Sequence, residues 1–381
     1  MTWADVRRRR LARHRLLERG GPADIPAIAS AVCGIHAQMM PAAELSLGMR
    51  ADVSRSDVRD ALWRRRSLVK THGVRGTIHL FAADEVRLWM AARRARSSLD
   101  AVFEAKRLAS LHMTAGQVDE LLAAMSEALA GGPLTLRELG REVVRLTGPW
   151  AEASLGEAWV SGWPLWRSAL GAAAEREVLC FGPPRGNEVT YVRFEDWIGP
   201  GRRWNDAAAL AEIFRRFMRA YGPARPSAFN AWFYLQSGAA HRLAAELREE
   251  LVEVVVEGER LYQLAIDSFD AGGDGATVRL LPHFDAYLRG FYPREQLARD
   301  GHAKRSAGGT GRFPVLLLDG EVAGVWERPA RGRRIRVRVD PFLALGKRQL
   351  RELEAEAARV GRVLEAEAEL ELGDVEVRAH L

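Results

Sequence analysis

Cysteine is scarce: the 381 residues include two, Cys33 and Cys180, which excludes a disulfide framework, and each lies in an apolar run as a small buried hydrophobe does. No apolar run approaches the roughly 20 residues of a membrane span. Residues 1 to 20 carry Arg7 to Arg10 without the apolar core of a signal peptide, so the expected location is cytoplasmic, with no membrane partner. The nine histidines lack ligand spacing, and neither a metal nor any other cofactor is expected. Gly301 to Arg312 is glycine-rich and basic but holds no Walker pattern, so it reads as a mobile loop and lends no support to phosphate-cradle NTPase chemistry.

What is present is ordinary for a globular protein, 48% hydrophobic and 28% charged residues in a chain long enough for two or three packed units. The net charge of +6 hides an asymmetry: residues 1–107 carry 21 Lys/Arg against 11 Asp/Glu, and the remainder carries 35 against 39. A local surplus of this kind suits a polyanion such as a nucleic-acid backbone, or it marks solvated helix faces in an arginine-heavy protein.

One stretch breaks its surroundings: Gly34-Ile35-His36-Ala37-Gln38-Met39-Met40-Pro41. Ile25, Ile28, Ala29, Val32 and Ile35 recur at helical spacing, and Pro41 forbids a continuing helix, so the helix is expected to end near Gly34 or Ile35. A second helix is expected from Pro41 through Glu44, Leu45, Leu47 and Met49. In the extended link between them, residues i and i+2 share a side, which lets His36 and Gln38 reach one ligand.

Along the chain, residues 4 to 19 read as a basic amphipathic helix with Val6, Leu11, Leu16 and Leu17 inward. A helix from Ser56 is followed by strand-like Leu68 to Thr71, a turn near His72-Gly73 and a strand Thr77 to Phe81, the outline of a winged helix-turn-helix. The outline recurs over residues 134 to 194 and again from Ser227 to Ile266, indicating a tandem array. The expected divisions are 1–107, 108–200 and 201–270, each with one winged-helix unit, and a β-rich part over 271–381. There, Asp319-Gly320 between Val315–Leu318 and Glu321–Trp326 signals a type I′ hairpin. Arg334, Arg336 and Arg338 alternate with apolar residues and so share one strand face that suits phosphates. Residues 346 to 372 carry an acidic surplus, read as a solvated face or an intramolecular cover.

The Gly34–Pro41 stretch, Val74-Arg75-Gly76-Thr77-Ile78-His79-Leu80, and Leu281-Pro282-His283-Phe284-Asp285-Ala286-Tyr287-Leu288-Arg289-Gly290 with the later Asp319-Gly320 hairpin together resemble the AlkZ/YcaQ group of winged-helix DNA glycosylases, in order and over nearly the whole chain. The resemblance implies an α+β fold of tandem winged helices in a C-shaped arrangement with a β-rich C-terminal part. It also implies excision of N-alkylated (N7/N3) purines from double-stranded DNA, bulky adducts and interstrand crosslinks included, in repair or self-resistance. The group's motif is glutamine, an apolar residue, then glutamine or aspartate; here the matching positions are His36, Ala37 and Gln38.

An alkylated purine is already cationic and leaves without protonation, so one of the two carboxylates usual in glycoside hydrolysis becomes unnecessary. Neutral His36 suits acceptance of a proton from water, and Gln38, which takes no proton, suits orienting that water and facing the positive sugar with its carbonyl dipole. Phosphate contacts are expected from Arg64, Arg65, Arg66, Lys70 and Arg75, with Lys304, Arg305, Arg312, Arg334, Arg336 and Arg338 as further candidates. Arg75, Thr77 and His79 either touch DNA or brace the wing. Asp285 and Tyr287 read as a structural hydrogen-bonding pair. Two rivals stand beside the monomeric glycosylase: a non-catalytic winged-helix regulator or lesion sensor, and a protein that sequesters a small alkylating metabolite.

Overall fold

A computed structural model describes residues 1–154, 163–267, 277–298, 312–331 and 334–376. Helices and strands mix, as an α+β chain requires, and they divide into two compact units: Met1–Ala61 with Phe214–Leu381, and Leu62–Ile213.

The first unit is built on a six-stranded sheet. Val278–Leu281, Val315–Leu318, Glu321–Glu327, Arg334–Pro341 and Ala330–Arg331 pair antiparallel in that spatial order, and Glu367–Leu372 joins Arg334–Pro341 in parallel. Asp319 and Gly320 take φ of 51° and 83°, the two positive values of the expected two-residue turn. A side chain at Gly320 would start 2.6 Å from the Tyr287 hydroxyl, so glycine is required there twice over.

The helix Lys347–Leu364 returns the chain between the two parallel strands and buries Leu353, Ala357, Val360 and Val363 in a core with Leu280, Leu316, Trp326 and Val337. The helix Met40–Gly48 packs on it, and Gly48 permits the close approach: a Cβ there would fall 2.2 Å from Val363 Cγ2. The same unit holds helices Trp3–Arg13, Pro226–Phe233 and Ala239–Glu246 and the hairpin of Leu251–Val256 with Glu259–Leu264.

The second unit contains the hairpin Leu68–His72 with Ile78–Ala82, and a three-stranded sheet in which Glu188–Arg193 lies between Leu134–Thr135 and Leu179–Arg185. Helices Ala115–Ala128 and Leu136–Thr147 close over a core that includes Leu121, Met125, Leu139, Trp166 and Phe181.

The first helix corrects the sequence expectation. It ends at Arg13, because Arg15 turns to φ 54°, its N–H reaches the Ala12 carbonyl, and the Leu16 N–H reaches that of Leu11. This reversal still buries Leu16 fully. Among the described residues, no helix is long and apolar enough to cross a membrane, and no group of three His, Cys, Asp or Glu is placed to hold a metal ion.

Candidate functional site

The site grows from the way two helices are joined. The helix Ile25–Ala31 stops short of Gly34, because Cys33 and Gly34 adopt φ of 62° and 94° and their N–H groups cap the carbonyls of Ser30 and Ala29. The chain then runs extended through Ile35–His36, and Met39 keeps an extended backbone as the residue before the helix Met40–Gly48, with Pro41 in its first turn. His36 is 8% exposed, with its ring 4.7 Å from that of Phe284; Ala37 is fully buried and Gln38 is exposed. The regular strand ends at His36, so strict alternation of faces stops before Gln38.

Beside this link lies a cleft of about 350 Å³, lined among others by Met39, Ala42, His283, Trp326 and Arg328. Its volume falls near the lower end of the range for small-molecule sites.

Behind the cleft, the His283–Tyr287 segment is anchored in the core. Asp285 is 1% exposed and takes two hydrogen bonds from Arg50, at 2.7 and 2.8 Å, one from the Ser46 hydroxyl at 2.7 Å and one from the Tyr287 N–H at 3.0 Å. Burial alone would push the Asp285 carboxyl up; the Arg50 charge, aided by these bonds, outweighs it and holds the group below the usual carboxylate value. The Tyr287 hydroxyl donates to the Gly320 carbonyl at 3.0 Å. Asp285 and Tyr287 are therefore structural groups that seat Phe284 against His36.

The expected phosphate-binding residues fall into separate settings. In the second unit Arg64, Arg65 and Arg66 are exposed, with the Arg66 guanidinium 3.9 Å over the Trp197 ring, and Lys70 lies 5.1 Å over Phe181. Arg75 sits half-buried in the hairpin turn with φ 57°. The turn is braced locally: Thr77 donates its hydroxyl to the Val74 carbonyl at 3.0 Å, His79 is buried with Nδ1 3.0 Å from the Thr77 carbonyl, and Arg93 holds the Gly73 carbonyl at 3.0 Å.

In the first unit Arg334, Arg336 and Arg338 do share a strand face, and the acidic strand beside them answers their charge. Arg334 pairs with Glu367 at 3.3 Å, Arg336 with Glu371 at 3.2 Å, and Arg338 with Glu371 and Glu327 at 3.0 Å each. Of the loop expected over 301–312, Arg312 is exposed, and the rest, Lys304 and Arg305 included, lies outside the described residues.

Glu44 is placed in the second helix by the sequence but given no role there. Its side chain is fully buried against Arg55 and Arg59, and the available signal was a carboxylate set among Ala42, Ala43, Leu45 and Leu47.

Comparison with known proteins agrees with this architecture. The family described as DNA glycosylase AlkZ-like matches residues 29–363, a span that includes His36, Gln38 and the Asp319-Gly320 hairpin. An interstrand DNA cross-link repair glycosylase of Streptomyces sahachiroi is 30% identical over 370 residues, covering 95% of this chain and 96% of that protein. The solved structure of the Streptomyces sahachiroi DNA glycosylase AlkZ superposes with a TM-score of 0.79 at 27% identity, over 98% of this chain and all of that one. With the match extending over most of its length, the chain belongs to the AlkZ-like DNA glycosylase family.

Proposed function

We propose that this chain hydrolyses the N-glycosidic bond of N7- and N3-alkylated purines in double-stranded DNA, bulky adducts and interstrand crosslinks included, as a cytoplasmic monomer without a cofactor. The helix-and-hairpin segments at Arg55–Ala82, Leu136–Arg193 and Pro226–Leu264 are its three winged helices. The reading is supported by His36 and Gln38 standing in the non-helical link between two helices, next to the cleft that Met39 lines, within a chain of this family.

In the reaction the bond between the sugar C1′ and the purine N9 breaks with its electron pair going to the base, which cancels the positive charge that alkylation placed there. Water adds its oxygen to C1′ and gives its proton to His36, a general-base contribution of about 10²–10⁴-fold. Gln38 orients the water through its carbonyl and opposes the positive charge that develops on the sugar. The products are a free alkylated purine, an abasic site and a protonated His36. The cross-link activity named for the Streptomyces sahachiroi relative supports bulky lesions as the substrate class.

The test is base release from duplex DNA carrying N7-methylguanine, a bulky N7-alkylguanine, or an N7–N7 crosslink. Abasic sites forming above the spontaneous rate are expected for all three. Binding of the duplex without release from any of them would overturn the reading and leave a lesion sensor.

A further inference from the structure

Two guanidinium groups bind one carboxylate in the helix that follows the His36 link, and a third lies within reach of its charge. Glu44, fully buried, accepts from Arg55 Nη2 at 3.2 Å and from Arg59 Nε at 2.8 Å. Arg328 joins them from the segment after Glu321–Glu327: its burial and the Arg55 charge hold its guanidinium below the usual arginine value, and Glu44 opposes that shift. Arg328 also lines the cleft shared with Met39 and Ala42.

Glu365 also feels the Arg55 charge while accepting from the Ser56 N–H at 3.3 Å, and two further acids have partners of their own. Glu327 binds Arg338 at 3.0 Å, and Asp57 caps its own helix through the Ser54 hydroxyl and N–H, both at 2.8 Å. Positive charge is thus in excess: the buried Glu44, with Glu365 near Arg55, faces three guanidinium groups. The arrangement also has an open side, since the Arg59 side chain is 52% exposed and that of Arg55 is 29% exposed.

Gathering like charges is unfavourable unless something anionic arrives to share them. Glu44 takes the Nε proton of Arg59, which leaves the terminal nitrogens of that guanidinium as a rigid donor fork, the geometry that matches two oxygens of a phosphodiester. A buried carboxylate is also well suited to hold the two arginines in a fixed pose before any ligand binds. At 1.5 Å of rise per residue, Glu44 lies only about 6 Å along the helix from Met40, where the His36–Gln38 link ends.

We propose that Arg55, Arg59 and Arg328 form a clamp for one backbone phosphodiester of duplex DNA next to the His36 link. The proposal rests on the glycosylase reading and adds a binding site to it. Its residues are positioning groups: they hold the strand and take no part in bond breaking.

The test uses the full-length protein and a fluorescent duplex, with affinity followed by anisotropy from 50 to 300 mM salt, for wild type, Arg59→Ala, Arg328→Ala and Arg59→Lys. Urea unfolding of each variant checks that the fold is retained. Arg348→Ala serves as a control for loss of an exposed arginine, since Arg348 pairs with Glu352 at 2.9 Å within its own helix. Loss of one phosphate contact lowers the slope of log affinity against log salt by about 0.9. That drop, with affinity weakened about tenfold at 100 mM salt, is expected for Arg59→Ala and Arg328→Ala and absent from Arg348→Ala. Arg59→Lys is expected to keep the slope and lose part of the affinity, because a point charge replaces a fork. Unchanged slopes for both alanine variants, in a wild type that binds duplex DNA, overturn the clamp alone. A wild type that does not bind duplex DNA overturns the glycosylase reading, and the clamp falls with it.

Discussion

Two arginine runs that look alike in sequence end in opposite surroundings. Residues 7 to 10, with Arg13, line the first helix, and Arg64 to Arg66 follow the helix Arg55–Trp63. Arg9 and Arg10 are each 1% exposed: Arg9 donates to the Gln263 side-chain oxygen Oε1 at 2.5 Å, and Arg10 donates to the backbone carbonyls of Pro223 at 2.9 Å and Tyr292 at 3.2 Å while lying 4.3 Å over Phe291. Arg7 pairs with Glu321 at 2.7 Å and Arg13 with Asp267 at 3.1 Å. Arg64, Arg65 and Arg66 are all exposed.

The first run ties distant segments of its unit together, and the second presents charge to solvent. A charge count therefore does not locate a nucleic-acid face; the company each arginine keeps does. The N-terminal surplus of positive charge is in part a set of internal staples.

That contrast is sharpest at the buried extreme, Arg50 with Asp285, where both side chains have no exposed surface. Asp285→Ala leaves a guanidinium buried without its carboxylate and is expected to cost about 3–5 kcal/mol in urea unfolding. A loss below 1 kcal/mol would mean that the pair is not a structural staple.

A second, smaller effect is a pH dependence. His14 is fully buried, with its ring 4.9 Å from Tyr221 and 5.5 Å from Tyr287. Burial, with the Arg50 charge added and Asp285 opposing, lowers its pKa to about 3. In the unfolded chain a histidine titrates near ~6.5. Between these values the unfolded state binds a proton that the native state refuses, so this contribution to stability falls as pH drops from about 6.5 toward 3 and is constant above that window. Unfolding at pH 5 is expected to cost roughly 2 kcal/mol less than at pH 7 from this group, at about 1.4 kcal/mol per pH unit. His14→Phe is expected to shrink that difference; an identical pH dependence in the variant would contradict the assignment.

The exposed run gives the smallest change in stability and a clear change in binding. Arg64→Ala and Arg65→Ala are each expected to stay within about 0.5 kcal/mol of wild type in unfolding, and Arg66→Ala, which gives up its stacking on Trp197, within about 1 kcal/mol. Combined, they are expected to lower the salt slope of duplex binding by up to about 2.7, if each contacts a phosphate. A triple variant with an unchanged slope would place the DNA face elsewhere.

Local chemistry made part of this legible. Pro41 fixes the start of the second helix, the Asp319-Gly320 pair fixes its hairpin, and the period-two arginines of 334 to 338 do share a face. The helix ends were harder, because Cys33 and Arg15 reverse the chain in left-handed backbone, a conformation that neither residue type advertises. The buried arginines were illegible for another reason: Arg10 finds its partners at Pro223 and Tyr292 and Arg50 its partner at Asp285, more than 200 positions away along the chain. The arginine ladder was seen, whereas its pairing with Glu367 and Glu371 depends on a parallel strand that joins only after the helix Lys347–Leu364. At the site, the motif was readable and its setting was not. Phe284 reaches His36 from a segment held by Asp285, and no local pattern announces that contact.

The hydrolysis proposed for His36 and Gln38 can be followed at the bond itself. Its most direct test is single-turnover release of base from a duplex with one N7-alkylguanine, by wild type, His36→Ala and Gln38→Ala at saturating protein. Expected are wild-type release well above the spontaneous rate, a fall of about 10²–10⁴-fold for His36→Ala through loss of the general base, and a smaller loss for Gln38→Ala, with duplex binding retained in both. Release at the wild-type rate by His36→Ala would contradict that proposal.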